Sequence, residues 1–202
     1  MCWTAEGGGR RDLWEGTAAG FLAGGGSGRM GRPKALLTLG GETFLQRQAR
    51  LFACADERLL SSNDPCIALP GVPAVPDKYP GLGPLAGLCA LLEHCRSARL
   101  AVVPCDLPCM EPAIVERLLE AMGGADFCGA VVGGRRQPLG AVYSRRALPA
   151  LQRALERGGR RLTAALDGLQ TRWLPMDDEA ARRAFFNVNT PEDLKRLEEE
   201  WM

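Results

Sequence analysis

The sequence has a single histidine, His94, and no paired Cys-x-x-Cys units among its eight cysteines. That leaves no ligand set for a structural zinc ion, which takes four Cys or His side chains at short spacing. No stretch approaches the roughly 18 unbroken apolar residues of a membrane span. The opening segment, MCWTAEGGGRRDLWEG, lacks the apolar run of a secretory signal. Net charge is only +1, so no global field draws in nucleic acid or an anionic membrane. These absences predict a cytoplasmic protein with no nucleic-acid or membrane partner. In such a reducing compartment, Cys54, Cys89 and Cys128 read as small apolar core residues.

What is present is an ordinary globular composition, 46% hydrophobic and 24% charged over 202 residues. A chain of that length buries a sufficient core as one domain. Residues 1–16 are Gly- and Arg-rich without periodicity and predict a flexible N-terminal tail. Trp3 and Trp14 fit a tail poorly. Residues 17–202 are expected to form one domain.

Strand and helix signals alternate along that domain. Residues 18–23 and 99–106 read as buried strands, and 58–62 and 71–77 as short extended segments. Thr43 and Gln46 have capping-box spacing and predict a helix through about Ala53. In 84–95, Leu85, Leu88, Leu92 and Cys95 share one helical face. Pro112 opens a further helix that Gly123 closes. Strands are expected at 125–132 and 138–144, joined by GGRRQ, then helices near 146–157 and 162–168 and a strand at 171–176. Thr190 caps a last helix with Pro191 in its first position. This alternation predicts an α/β fold: a Rossmann-like, mostly parallel sheet with helices on both faces.

Residues 22–37, LAGGGSGRMGRPKALL, follow the first strand. GSGRMG matches G-x-G-x-x-G, but a dinucleotide loop runs straight into a helix and meets an acid after the second strand. Here Pro33 interrupts, and the second strand ends in Ser61, Ser62 and Asn63. No Gly-Lys-Ser/Thr closes the run, which excludes a Walker A loop. What remains is exposed backbone amide flanked by Arg29 and Lys34, a combination suited to a triphosphate. Taken by itself, the stretch reads equally as a glycine-rich turn with surface cations.

Ligands of open α/β sheets sit beyond the carboxyl ends of the strands. Gly24, Ser61 to Asn63, Asp77 and Asp106 all fall there. A carboxylate directly after a buried strand is costly unless solvated, paired or metal-bound. With phosphates opposite, Asp106 suits Mg²⁺, which takes one or two carboxylates plus phosphate oxygens. Capping the next turn is the other role open to Asp106, and Asp77 equally suits an ordinary turn.

These segments, with PGLGPLAGL (80–88), PCDLP (104–108) and NVNTPEDL (187–194), resemble the molybdenum cofactor guanylyltransferases. Those belong to the wider superfamily of sugar- and cofactor-nucleotidyltransferases, and the likeness runs from about residue 18 to 197. It implies a nucleotide-diphospho-sugar transferase-like fold and transfer of GMP from GTP, with Mg²⁺, to the terminal phosphate of molybdopterin, releasing pyrophosphate. By the same resemblance, Leu22, Ala23 and Gly24 hold the nucleotide through backbone. Lys34 faces phosphate, Asp77 contacts guanosine, Asp106 carries the metal, and Asn187 and Asn189 line the pterin side. The family's asparagine after the second strand aligns with Ser61, with Asn63 two positions on. Pro33 stands where the guanylyl branch often has Asp; cytidylyltransferases of the same pathway frequently have proline there, which keeps CTP as the alternative. A non-catalytic nucleotide-binding protein and a sugar-phosphate nucleotidyltransferase are the other readings; the intact loop, Lys34 and Asp106 count against the first, and the short second half against the other. The resemblance also leaves a place for protein partners, either enzymes of the cofactor pathway or apoenzyme chaperones.

Residues 132–161 carry eight arginines against one glutamate: Arg135, Arg136, Arg145, Arg146, Arg153, Arg157, Arg160 and Arg161. Such a bias concentrates an anionic acceptor, although arginine pairs are also ordinary solvated surface. The loop-borne GGRRQPLG and GGRR are the expected contributors.

Overall fold

The computed structural model describes residues 11–24, 33–159 and 161–201. Helix α1 (Arg11–Trp14) leads into β1 (Thr17–Leu22). A 3-10 turn (Lys34–Leu36) precedes a small ribbon of β2 (Thr38–Leu39) and β3 (Glu42–Thr43). Next come α2 (Phe44–Leu51), β4 (Glu57–Ser61), β5 (Ala74–Val75), α3 (Pro84–His94), β6 (Arg99–Pro104) and α4 (Pro112–Met122). The chain continues with β7 (Phe127–Val132), β8 (Arg135–Ser144), α5 (Leu148–Glu156) and α6 (Leu162–Ala165). It finishes with β9 (Thr171–Pro175), α7 (Glu179–Ala184) and α8 (Pro191–Trp201).

Seven strands form one sheet in the order β5-β4-β1-β6-β8-β7-β9. Pairing is parallel from β5 through β6 and again between β7 and β9. Strand β8 runs against both its neighbours. The expected mostly parallel sheet is therefore observed, with a single reversed strand among the described residues.

Its central strands are apolar because both faces are covered. Ala19 and Phe21 of β1, with Ala101 and Val103 of β6, pack into one core together with Phe52 and residues of α2 and α4. Ala18, Leu22, Leu100 and Val102 point the other way, toward α3, α5 and α6. This period of two on each strand divides one apolar run between two cores. On α3, residues Leu85 to Leu92 are all buried. Its apolar surface is wider than the expected stripe because α5 and α6 cover the side turned away from the sheet.

Three expectations need correction. The tail does not extend to residue 16: α1 is folded and Trp14 is 1% exposed, edge-on to Phe52 and bonded through Nε1 to Glu116. The tryptophan supplies enough apolar area to anchor a segment that composition assigns to solvent. Residues 1–10 of that tail lie outside the described residues. Cys54 is exposed, because α2 stops at Leu51 and Cys54 sits in the following turn; Cys89 and Cys128 are buried as expected. The GGRRQ link is shorter than its five residues, since Gly133 and Gly134, at φ 55° and 72°, make the turn and Arg135 already starts β8. Two successive positive φ angles are what a type I′ two-residue hairpin turn demands. Among the described residues, no helix is long and apolar enough to cross a membrane.

Candidate active site

The carboxyl ends of β4, β1 and β6 lie side by side, with Leu22 opposite both Ser61 and Pro104. The Ala23 N–H donates to the Ser61 carbonyl at 3.0 Å and the Cys105 N–H to the Leu22 carbonyl at 3.0 Å. Those two backbone groups are thus engaged in closing the edge. Gly24 is exposed, and a Cβ there would meet nothing among the described residues within 4 Å. Arg29 and the rest of the glycine loop, 25–32, lie outside the described residues.

Lys34 opens the 3-10 turn behind Pro33, whose φ of −56° suits the extended entry. Its Nζ donates to Asn189 Oδ1 at 2.5 Å and lies 3.6 Å from Asp106 Oδ2. The Lys34 and Asp106 side chains are 23% and 30% exposed. Partial burial raises the Asp106 pKa above its ordinary value, against the opposing pull of the Lys34 charge.

A small separate core explains why these distant segments meet. Leu37, Leu39, Phe44, Cys109, Val188 and Leu197 bury one another. Val188 points inward while Asn187 and Asn189 on either side are exposed, the alternation of an extended segment. The Val188 N–H donates to the Asp106 carbonyl at 2.9 Å. Asp193 then fixes the start of α8, accepting from the Asn189 and Thr190 N–H groups at 2.9 and 2.8 Å while its own N–H donates to Thr190 Oγ1. These bonds hold the Asp193 pKa below the ordinary value, the Asn189 N–H contributing most.

The nucleotide-side candidates separate. Ser61 is 4% exposed, and its Oγ would lie 2.9 Å from a Cβ added at Gly87 of α3, so it faces the core. Asn63 is exposed and its Oδ1 accepts from the Asp77 N–H at 2.7 Å. Asp77 in turn accepts from the Tyr79 N–H at 2.7 Å. That is the turn role, and it presents the Asp77 loop beside the end of β4. The arginine cluster separates too. Because β8 runs antiparallel to β6, Arg135 and Arg136 lie at the carboxyl edge, whereas Arg145 follows Ser144, which pairs with Arg99 at the other end. Arg146 at that far end bonds the Gly124 carbonyl and lies 3.6 Å from Asp126. Arg160 lies outside the described residues.

Among the described residues there is no group of three or more His, Cys, Asp and Glu that could cage a metal. A half-buried carboxylate beside a lysine fits instead a divalent ion held largely by phosphate oxygens. Two residues packed around this edge were not among the sequence candidates, although each left a signal. Asp193 was legible, since Thr190-x-x-Asp193 has capping-box spacing. Gln48 was legible as a polar residue on the stripe of Phe44, Leu45 and Ala49 that α2 buries.

A lysine–aspartate pair at the carboxyl edge of a doubly covered sheet, in a chain whose first strand is followed by a glycine-rich sequence, suits a phosphate-bearing ligand. The family described as "MobA-like NTP transferase domain" matches residues 19–170. The chain belongs to that family. It is 33% identical over 181 residues to a probable molybdenum cofactor guanylyltransferase of Pelotomaculum thermopropionicum, covering 86% of this chain and 88% of that one. It is 32% identical over 182 residues to the molybdenum cofactor guanylyltransferase of Vibrio cholerae, covering 88% and 89%. Among solved structures, molybdopterin-guanine dinucleotide biosynthesis protein A of Archaeoglobus fulgidus superposes with a TM-score of 0.79 at 26% identity, covering 90% of this chain and 97% of that one.

Proposed function

We propose that this protein transfers GMP from GTP to the terminal phosphate of molybdopterin in the cytoplasm. An acceptor phosphate oxygen forms a bond to the α-phosphorus, the bond from that phosphorus to the bridging oxygen breaks, and pyrophosphate leaves with the electron pair. The observation that carries this reading is the meeting of Lys34, Asp106 and Asn189 at one sheet edge. The named relatives support guanylyl transfer as the particular activity.

Phosphoryl displacement needs positioning and charge stabilisation more than covalent help. Lys34, with Arg29 from the glycine loop, neutralises the departing pyrophosphate. Asp106 is the residue to hold Mg²⁺, which when bound draws charge from the α-phosphate. Leu22, Ala23 and Gly24 supply the backbone rim against which the nucleoside lies. Asn63 holds the Asp77 loop against the guanosine portion. Asn187 and Asn189, presented on one side of the extended segment before α8, face the acceptor.

Purified protein incubated with molybdopterin, Mg²⁺ and each nucleoside triphosphate in turn tests this through pyrophosphate release. Release with GTP is expected. Release with CTP alone transfers the reading to cytidylyl transfer, and no release with any triphosphate overturns the catalytic reading.

A further inference from the structure

We infer that Gln48 is a positioning residue for the Asp106 carboxylate, acting by clamping the two carbonyls that bracket it. This rests on the reading of Asp106 as the residue that holds the divalent ion. Gln48 is 0% exposed, and its companions on the inner side of α2 are Phe44, Leu45 and Ala49. A buried amide is costly there unless it is bonded. Its Nε2 donates to the Pro104 carbonyl at 2.8 Å and to the Leu107 carbonyl at 3.1 Å. Both amide hydrogens are therefore used, one on either side of Asp106, while among the described residues the buried Oε1 has no hydrogen-bond partner. The side chain is held for its donors alone.

The same two carbonyls already accept backbone bonds, from Leu107 N–H and Met110 N–H respectively. Gln48 thus adds a second donor to each rather than satisfying an otherwise bare oxygen. Its contribution is direction more than stability. Arg47, the preceding residue, donates through Nε to the Pro108 carbonyl at 3.3 Å. Consecutive side chains of one helix turn hence grip the stretch 104–108 at three carbonyls. At its other end α2 is tied to the segment that carries Lys34: the Phe44 N–H donates to the Leu37 carbonyl at 2.8 Å. The Thr43–Gln46 capping box fixes that end of the helix. Helix α2 is a brace between the lysine and the aspartate, and Gln48 is its contact on the aspartate side.

Mn²⁺ binding to the protein–GTP complex without acceptor, read as loss of the free-ion electron paramagnetic resonance signal, tests this. Gln48→Leu should weaken Mn²⁺ binding about 10-fold, the low end of what loss of an orienting partner costs. GTP binding in EDTA should be unchanged. Asp106→Asn serves as the reference and should weaken Mn²⁺ binding more. If Asp106→Asn weakens it and Gln48→Leu does not, the positioning role is overturned while the metal role stands. If neither weakens it, the metal role of Asp106 falls, and this inference with it. Should Gln48→Leu not fold, Gln48→Asn keeps the amide but withdraws it by one methylene and is read in the same way.

Discussion

Lys34 and Asn189 stand 155 positions apart in the chain, yet the lysine ammonium donates directly to the asparagine carbonyl oxygen. Asp106 Oδ2 lies 3.6 Å from the same ammonium. A cation with two such partners is held in place before any phosphate arrives, which is what preorganised charge stabilisation requires. Replacing Lys34 or Asp106 with alanine should cut turnover on the order of 10² to 10³-fold. Both side chains are partly exposed, so the fold should survive, as circular dichroism would report. Asn189→Ala removes one hydrogen bond to a charged group, worth about 1.5 kcal/mol and hence roughly tenfold in kcat/KM. Near-normal turnover by the Asp106 variant would remove it from the site.

The raised pKa of Asp106 makes a separate prediction about stability. A carboxyl whose folded pKa lies above its unfolded value stabilises the fold while protonated, and that contribution is lost as pH rises through the folded pKa. Burial is the first cause, outweighing the Lys34 charge. In metal-free buffer, then, Asp106→Asn should be more stable than the parent at neutral pH. The gain should shrink as pH falls below the ordinary aspartate range, where both side chains are neutral. Thermal melts of the two proteins from pH 3 to pH 8 check this. A neutral-pH melting point lower for the variant would show that the Lys34 pairing outweighs burial.

The fold was largely legible because its strands and helices carry period and punctuation. The β6 strand is a continuous apolar run, and Thr43, Pro112, Gly123 and Thr190 mark helix ends by chemistry that needs no tertiary contact. The placement of Asp106 at the candidate site was legible because a charged residue directly follows a buried strand. What stayed hidden depends on contacts between distant segments. Trp14 leaves its glycine-rich surroundings to meet Phe52 and Glu116. The Val188 core that brings Asn189 to Lys34 joins residues 37–44 with 188–197. The separation of Ser61 from Asn63 depends on which neighbour faces α3, and local sequence does not encode that.

That separation leaves Asn63, and not Ser61, placed for the nucleotide contact proposed after the second strand. Ser61 lies beneath Gly87, and Asn63 bonds the Asp77 backbone. Asn63→Ala should release the Asp77 loop and raise the KM for GTP, by roughly tenfold for a bond of about 1.4 kcal/mol. Ser61→Ala should leave the KM within about twofold, because removing a small buried hydroxyl beneath α3 changes stability by only about 1 kcal/mol. Steady-state kinetics with GTP varied, at saturating acceptor, separates them. A larger effect from Ser61 would reassign the contact.

The arginine-rich stretch makes a prediction of position rather than number. Arg135 and Arg136 emerge from the Gly133–Gly134 turn at the carboxyl edge of the sheet, the edge that holds Asp106. The Arg136 guanidinium lies 5.0 Å over the Trp173 ring, which orders it without neutralising it. Arg146, at the other end of β8, is already matched by Asp126. An anionic acceptor approaching the edge is attracted by the first pair and screened from the second, since the Debye length at physiological salt is about 8 Å. Arg135→Gln with Arg136→Gln should raise the KM for molybdopterin at low salt and flatten its dependence on ionic strength. Arg145→Gln with Arg146→Gln should leave both unchanged. Equal effects from the two double variants would show that net charge, and not its placement at this edge, governs capture of the acceptor.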